Sequence, residues 1–450
     1  MTNLTDPREI IDKSSMTVMQ IVVVVITVLL NGLDGFDVAS IAFASPGIAA
    51  DWGVERTALG IVLSMELLGM GIGALIFGGF ADKRGRRPTL LICLAIMAIG
   101  MFGATRAADA FQLSLWRIFT GLGIGGMLTA TNAVVAEFSS KKWRSLSVSM
   151  MVIGYPLFAG IGGLYAATFL NEAWRPVFYI GATASAIMLP VVYFLVPESV
   201  HWLARKQPAG ALTALNASLT KIGQSTVAEL PHIEEHESKK SLSDIFSPAL
   251  LATTVIVTSA FFLHVMTFYF LLKWTPKIVS DMNFNPAEAG NVLTMANFGG
   301  AVGGALFGFL TARIGLKPLT IAILACNAAA IMAFGRSPVD LGMLTTLAVI
   351  AGFFGNAGMS GLYALVAWAF PTHARAMGTG FVIGMGRGGA FLSPIIAGYL
   401  LDSGLSLPSL GMVMGAGSAL GAVILLFLKS GQETEAGETQ QAGMEPSAAH

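Results

Sequence analysis

Gly78-Gly79-Phe80-Ala81-Asp82-Lys83-Arg84-Gly85-Arg86-Arg87-Pro88 is a basic, glycine-marked turn between two apolar runs, and its outline returns as Gly308-Phe309-Leu310-Thr311-Ala312-Arg313-Ile314-Gly315-Leu316-Lys317-Pro318. Glycine runs precede both copies, and residue 78 corresponds to 308 as 88 does to 318, an offset of 230. Working outward from the first copy, apolar stretches long enough to span a bilayer cover 17–44, 57–80, 88–106, 111–137, 145–170 and 176–196. Around the second copy they cover 249–272, 287–311, 318–335, 341–369, 375–401 and 407–428. The expected fold is all-α and integral to the membrane, with twelve transmembrane helices in two pseudo-symmetric six-helix halves. A parallel repeat of this kind places a substrate near the midplane between halves that rock against each other.

Composition agrees. Of 450 residues, 54% are hydrophobic and only 12% charged, against about 25% charged in an average soluble protein. The expected organisation is a cytoplasmic segment 1–16, a first half 17–197, a cytoplasmic linker 198–248, a second half 249–429 and a disordered cytoplasmic tail 430–450. The polar start is followed by a run long enough to span, so the first helix is expected to be retained and not cleaved as a signal. Eighteen Lys and Arg fall in segments on the side of the N-terminus; the opposite side has six, Arg56, Arg106, Arg175, Lys273, Lys277 and Arg336. The positive-inside rule then puts both termini in the cytoplasm. With 26 basic and 26 acidic residues, net charge gives no sign of a nucleic-acid partner. Cys93 and Cys326 sit in separate apolar runs and are expected to be buried thiols; His232 and His236 follow Pro231 without further ligands and read as solvated linker, so no metal is expected.

Charges inside the apolar runs are where function is expected. Asp34 and Asp37, in Asn31-Gly32-Leu33-Asp34-Gly35-Phe36-Asp37, lie one turn apart on one face of the first helix. An Asp near a helix centre costs about 2.5–3.5 kcal/mol on insertion scales, so the pair needs a partner or a cavity. Arg117, in the outer part of the fourth helix, is a candidate partner at comparable depth, the three forming a proton-coupling set. Its alternative is a static ion pair that fixes packing. Arg387, amid Gly384, Gly386, Gly388 and Gly389, is the leading candidate to bind a substrate carboxylate through two parallel bonds. His264 is either a substrate contact or proton relay or a satisfied packing histidine. Phe36, Tyr269, Phe354 and Tyr363 are candidates for an apolar slot, along with Phe268, Phe298 and Phe353, and most aromatic residues in a bundle are packing. Asn31, Asn297 and Asn356 bond substrate or bridge helices. Glu137 lies too far along the fourth helix to join Arg117 and is expected at the cytoplasmic end, as a partner for Arg144 or for the Asp82 turn.

The turn Gly78 to Arg87 resembles the signature of the major facilitator superfamily between its second and third helices. The resemblance supports a latch of Gly78, Asp82, Arg86 and Arg87, whose alternative is topology anchoring alone; it makes Glu137 and Arg375 further charged positions, with Arg144 as a gate residue, and Ala312 replaces the Asp in the second copy. Arg117-Ile118-Phe119-Thr120-Gly121-Leu122-Gly123 resembles a superfamily motif associated with proton coupling. Pro197-Glu198-Ser199-Val200-His201-Trp202-Leu203 resembles a signature of its sugar-porter-like and organic-ion branches. Asp34-Gly35-Phe36-Asp37 is similar to the hallmark of the aromatic acid:proton symporters. The fifth helix, with Gly154-Tyr155-Pro156, departs from the antiporter pattern. What these resemblances imply is import of a benzoate- or hydroxybenzoate-type acid with protons, by a monomer in a bacterial inner membrane, with the proton as coupling ion and no cofactor. Proton-coupled export, carriage of another organic acid, and a transporter-like aromatic-acid sensor stand as alternatives. An enzyme is disfavoured, since no nucleophile and base, metal cluster or phosphate loop lies at a credible depth.

Overall fold

In hydrocarbon every backbone N–H and C=O must be satisfied within its own segment, so long apolar runs become helices. A computed structural model describes residues 6–231, 242–371 and 374–428. His232, His236 and the tail expected at 430–450 lie outside the described residues. A short helix α1 (Pro7–Lys13) precedes six spans, α2 (Val18–Trp52), α3 (Arg56–Arg84), α4 (Arg86–Thr105), α5 (Ala110–Phe138), α6 (Arg144–Ala166) and α7 (Pro176–Leu195). Two linker helices, α8 (Val200–Lys206) and α9 (Ala211–Lys221), and a 3-10 turn, Leu242–Phe246, follow. Six further spans are α10 (Leu251–Asp281), α11 (Pro286–Ile314), α12 (Leu316–Gly335), α13 (Leu341–Ala369), α14 (Arg375–Asp402) and α15 (Leu407–Leu426).

The helix ends follow local chemistry. Thr17 with Gln20 and Asn285 with Glu288 form capping boxes that open α2 and α11. Gly85 and Gly315 take φ of 105° and 88° at the sharp corners α3–α4 and α11–α12, where a side chain would be strained. Those corners are the repeated turn, and α11 and α12 start and end 230 residues after α3 and α4.

The first and seventh helices run further than their apolar cores, to Trp52 and Asp281. Lys273 and Lys277, expected in a flanking segment, are therefore helical. Lys273 is fully buried. Cys326, expected buried, lies on the exposed surface of α12, while Cys93 is buried.

The halves join by exchange of equivalent helices: α3 packs on α14, α6 on α11, and α2 on α10. Gly60 brings α3 against the backbone at Pro394, and Gly398 brings α14 against Arg56. On the face away from the termini, the seam is closed by Arg56–Asp281 at 3.2 Å and by Thr57, whose N–H donates to Asp402 at 2.6 Å. Ala287 N–H also donates to Asn171 Oδ1 at 3.0 Å. Among the described residues, the hydrogen bonds between the halves lie from the midplane toward this face.

Candidate functional site

Asp34 and Asp37 flank the midpoint of α2 and are fully buried, and none of their carboxylate oxygens has a hydrogen-bond partner among the described residues. Gly32 and Gly35 put the adjacent face of α2 against Phe158 and the Tyr155 carbonyl of α6, an approach that a Cβ would block. The side chain of Asp37 points instead at Gly181 of α7.

Arg117 has a different partner from the one expected. Its guanidinium pairs with Glu66 of α3 and reaches only the main chain of Asp37, donating to that carbonyl at 2.8 Å. Phe178 covers it, with the ring centre 5.3 Å away. Gly69 and Gly121 make this possible. Each lies where a Cβ would strike the other helix's backbone, so α3 and α5 come close enough for a short ion pair. The second oxygen of Glu66 accepts from Lys273 Nζ at 3.2 Å, and the same ammonium donates to the Val38 carbonyl at 2.5 Å. Glu66 and Lys273, both absent from the expected site, thus link the halves through one carboxylate. A lone acidic residue in the run 57–80 was a legible signal.

Arg387 lies at the midpoint of α14 in a cleft with Phe261, Val265, Tyr269 and Tyr363. Among the described residues it makes no hydrogen bond or ion pair, and Asp34, Tyr155, Tyr269 and Tyr363 lie within its electrostatic reach. The carboxylates of the centre all come from one half. The first half contributes Asp34, Asp37, Glu66 and Arg117, and the second contributes Lys273 and Arg387.

Other candidates sit elsewhere. His264 is packed inside the second half, with Nε2 3.0 Å from the Gly355 carbonyl and Nδ1 2.8 Å from Ser418 Oγ. The carbonyl can only accept, so Nε2 carries the proton and both ring nitrogens are satisfied. Phe36 packs on Gly162. Phe354 joins an apolar cluster with Phe307, Leu319 and Ile323, and that cluster lies with Cys326 around a second pocket, away from Arg387. Phe298 packs on Gly160 across the seam, and Phe268 stacks on His264. Asn31 donates to the Met151 carbonyl at 2.7 Å and Asn356 to Gly300 at 2.8 Å, both as helix bridges, while Asn297 bonds within its own helix.

At the face bearing the termini, Arg86 donates to Asp82 at 2.9 Å and to Glu137 at 3.0 Å. Arg144 pairs with Asp12 of α1. Glu198 caps α4, accepting from Arg86 N–H at 2.8 Å, and burial pushes its carboxyl above the ordinary range. Trp202 donates to the Asp82 carbonyl at 3.0 Å. Arg87 donates to the Tyr193 carbonyl at the end of α7, and in the second half Lys317 does the same to Leu428 just beyond α15, each at 2.5 Å. Arg375 reaches the Phe370 carbonyl at 3.4 Å, and Gly78 faces open space.

Comparison with known proteins places this architecture. The family model described as Major Facilitator Superfamily matches residues 27–285 and 260–448. The chain is 28% identical to the gallate transporter of Pseudomonas putida, covering 94% of each chain. It is 28% identical to the 4-hydroxybenzoate transporter PcaK of Pseudomonas aeruginosa, covering 94% of this chain and 96% of that one. In fold it is similar to the xylose transporter XylE of E. coli in a partially occluded inward-open conformation, with a TM-score of 0.71 at 17% identity over 92% of this chain and 98% of that one. The chain belongs to the Major Facilitator Superfamily and is a multi-pass membrane transporter, not an enzyme.

Proposed function

We propose that the chain imports an aromatic carboxylate with protons across a bacterial inner membrane, with both termini in the cytoplasm. The observation that carries this reading is Arg387, a cation that forms no ion pair among the described residues, in a cleft lined by Phe261, Tyr269 and Tyr363. A guanidinium offers a carboxylate two parallel hydrogen bonds, and the rings offer its aromatic body an apolar slot. The gallate and 4-hydroxybenzoate transporters among the relatives support the substrate class.

The face away from the termini is the outer face in this reading, so the closed seam leaves the site facing inward. Asp34 and Asp37 hold the coupling protons. Buried carboxylates without hydrogen-bond partners are sustained only as neutral acids, which fits a protonated pair travelling with a bound anion. The carried proton is assigned to the pair and to neither carboxyl alone. Release of the acid and the proton to the cytoplasm resets the pair.

Uptake of labelled gallate, 4-hydroxybenzoate and benzoate into cells expressing the chain tests the proposal. Accumulation above the external concentration, abolished by a protonophore, is expected; accumulation that survives the protonophore rejects proton coupling, and no uptake of any of the three rejects the substrate class.

A further inference from the structure

Glu66 divides its oxygens between the halves, Oε1 to Arg117 and Oε2 to Lys273. Lys273 is fully buried, and both of its acceptors, Glu66 and the Val38 carbonyl, belong to the other half. Opening the outer face separates α10 from α2 and α3 and takes both acceptors from the ammonium in one movement. Glu66 still has Arg117 when that happens, whereas Lys273 has nothing. An ammonium without acceptors at that depth is costly, so opening needs a replacement anion. The position of Lys273 suits a substrate to supply it. Lys273 lies four residues beyond Tyr269 on one face of α10, about 6 Å nearer the outer end, and Tyr269 lines the Arg387 cleft. A carboxylate entering from outside passes Lys273 before it reaches Arg387.

We propose that Lys273 is a second carboxylate-binding residue, occupied by Glu66 while the outer face is closed and by the substrate's carboxylate while it is open. The proposal rests on the reading of the chain as an importer of carboxylates. It makes the substrate itself the agent that releases the outer seam: the anion that takes the place of Glu66 offsets the cost of parting the halves. Arg387 then receives the same carboxylate deeper in, as the outer seam recloses and Lys273 returns to Glu66.

The test uses Leu63→Cys, in the apolar seam one turn outward of Glu66, in the full chain carrying Cys93→Ser and Cys326→Ser. Intact cells are treated with a membrane-impermeant maleimide, with and without 4-hydroxybenzoate, gallate or benzoate, and uptake is measured in parallel. In this parent, a transported acid is expected to raise the labelling rate several-fold. Lys273→Gln should label fast without substrate, show no further rise with it, and raise the KM for uptake at least fivefold. Lys273→Arg, which keeps the charge, should restore the substrate response. Uptake by Lys273→Gln with an unchanged KM, or a parent that transports an acid without any change in labelling, overturns the proposal while leaving the importer reading intact. A parent that takes up none of the three acids overturns both. If Lys273→Gln fails to reach the membrane, the labelling response of the parent and of Lys273→Arg decides.

Discussion

Glu66 is shared by two buried cations, one carboxylate bonding both, and among the described residues no other acidic side chain bonds either of them. Replacing it with Gln leaves Arg117 and Lys273 without a counter-charge, and removing one partner of a buried ion pair typically costs about 3–5 kcal/mol. A loss of that order is expected in the thermal stability of the purified Glu66→Gln protein, and a melting curve like the wild type's would show that the cluster is neutralised by other means. Arg387 has a different dependence, because among the described residues it bonds no acidic side chain. Arg387→Gln is expected to leave stability within about 1 kcal/mol while reducing aromatic-acid uptake at least tenfold. Arg387→Lys keeps the charge but loses the planar fork and should fall between them. The sequence made Asp34, Asp37, Arg117 and Arg387 visible because each interrupts an apolar run. It concealed the partner of Arg117, since pairing depends on which helix the glycines allow to come close. Lys273 was concealed for another reason: its apolar run ends one residue earlier while the helix continues to Asp281, so a buried lysine looked like a flanking one.

The elements show where backbone contact sets function. Gly69 and Gly121 each face the other helix's main chain, so α3 and α5 touch without intervening side chains. Gly69→Val should push them apart, costing at least about 2 kcal/mol by overpacking and lengthening the Arg117–Glu66 contact, to be read as a lowered melting temperature together with lost uptake. At the other face, the corner Gly85 is held by Glu198, which caps α4 and would collide with any side chain at residue 85. Burial raises the pKa of Glu198 above its usual range, so the folded corner takes up a proton more readily than the unfolded chain. Its contribution to stability is therefore full at low pH and declines as pH rises from about 4.3 through the raised value. Melting curves of the wild type and Glu198→Gln should lie together at the acid end of that window and separate as pH rises, the wild type falling below; parallel curves would contradict it. The sequence disclosed this corner through its repeat and through the Pro-Glu-Ser signature. It did not disclose that the signature's carboxylate caps the turn, a contact between residues more than a hundred positions apart.

For the whole molecule, Thr57 and Asp402 meet across the seam on the face away from the termini, one from each half. Joining Thr57→Cys to Asp402→Cys with a short cleavable bismaleimide, in a background without Cys93 and Cys326, should reduce uptake to background, and cleaving the linker should restore it. Uptake that persists in the cross-linked chain would mean that the outer seam does not open during transport. The halves were legible as a repeat because two turns and their spacing survive in the sequence. Their differing chemistry was less so: His264 stands 230 residues after Asp34 yet serves packing, and the carboxylates of one half face the cations of the other. These charges also sit in one layer. Asp34, Asp37 and Arg387 lie at the middle of their helices, and Arg117 and Lys273 within about 10 Å of it along theirs. Rocking about the middle moves such charges little along the membrane normal. A full elementary charge crossing the whole field gains about 2.3 kcal/mol per 100 mV, so a displacement through a tenth of it gains only about 0.2 kcal/mol. The reorientation of the halves is thus almost blind to membrane voltage, and an electrical gradient can act on this protein only through the ions that enter and leave it.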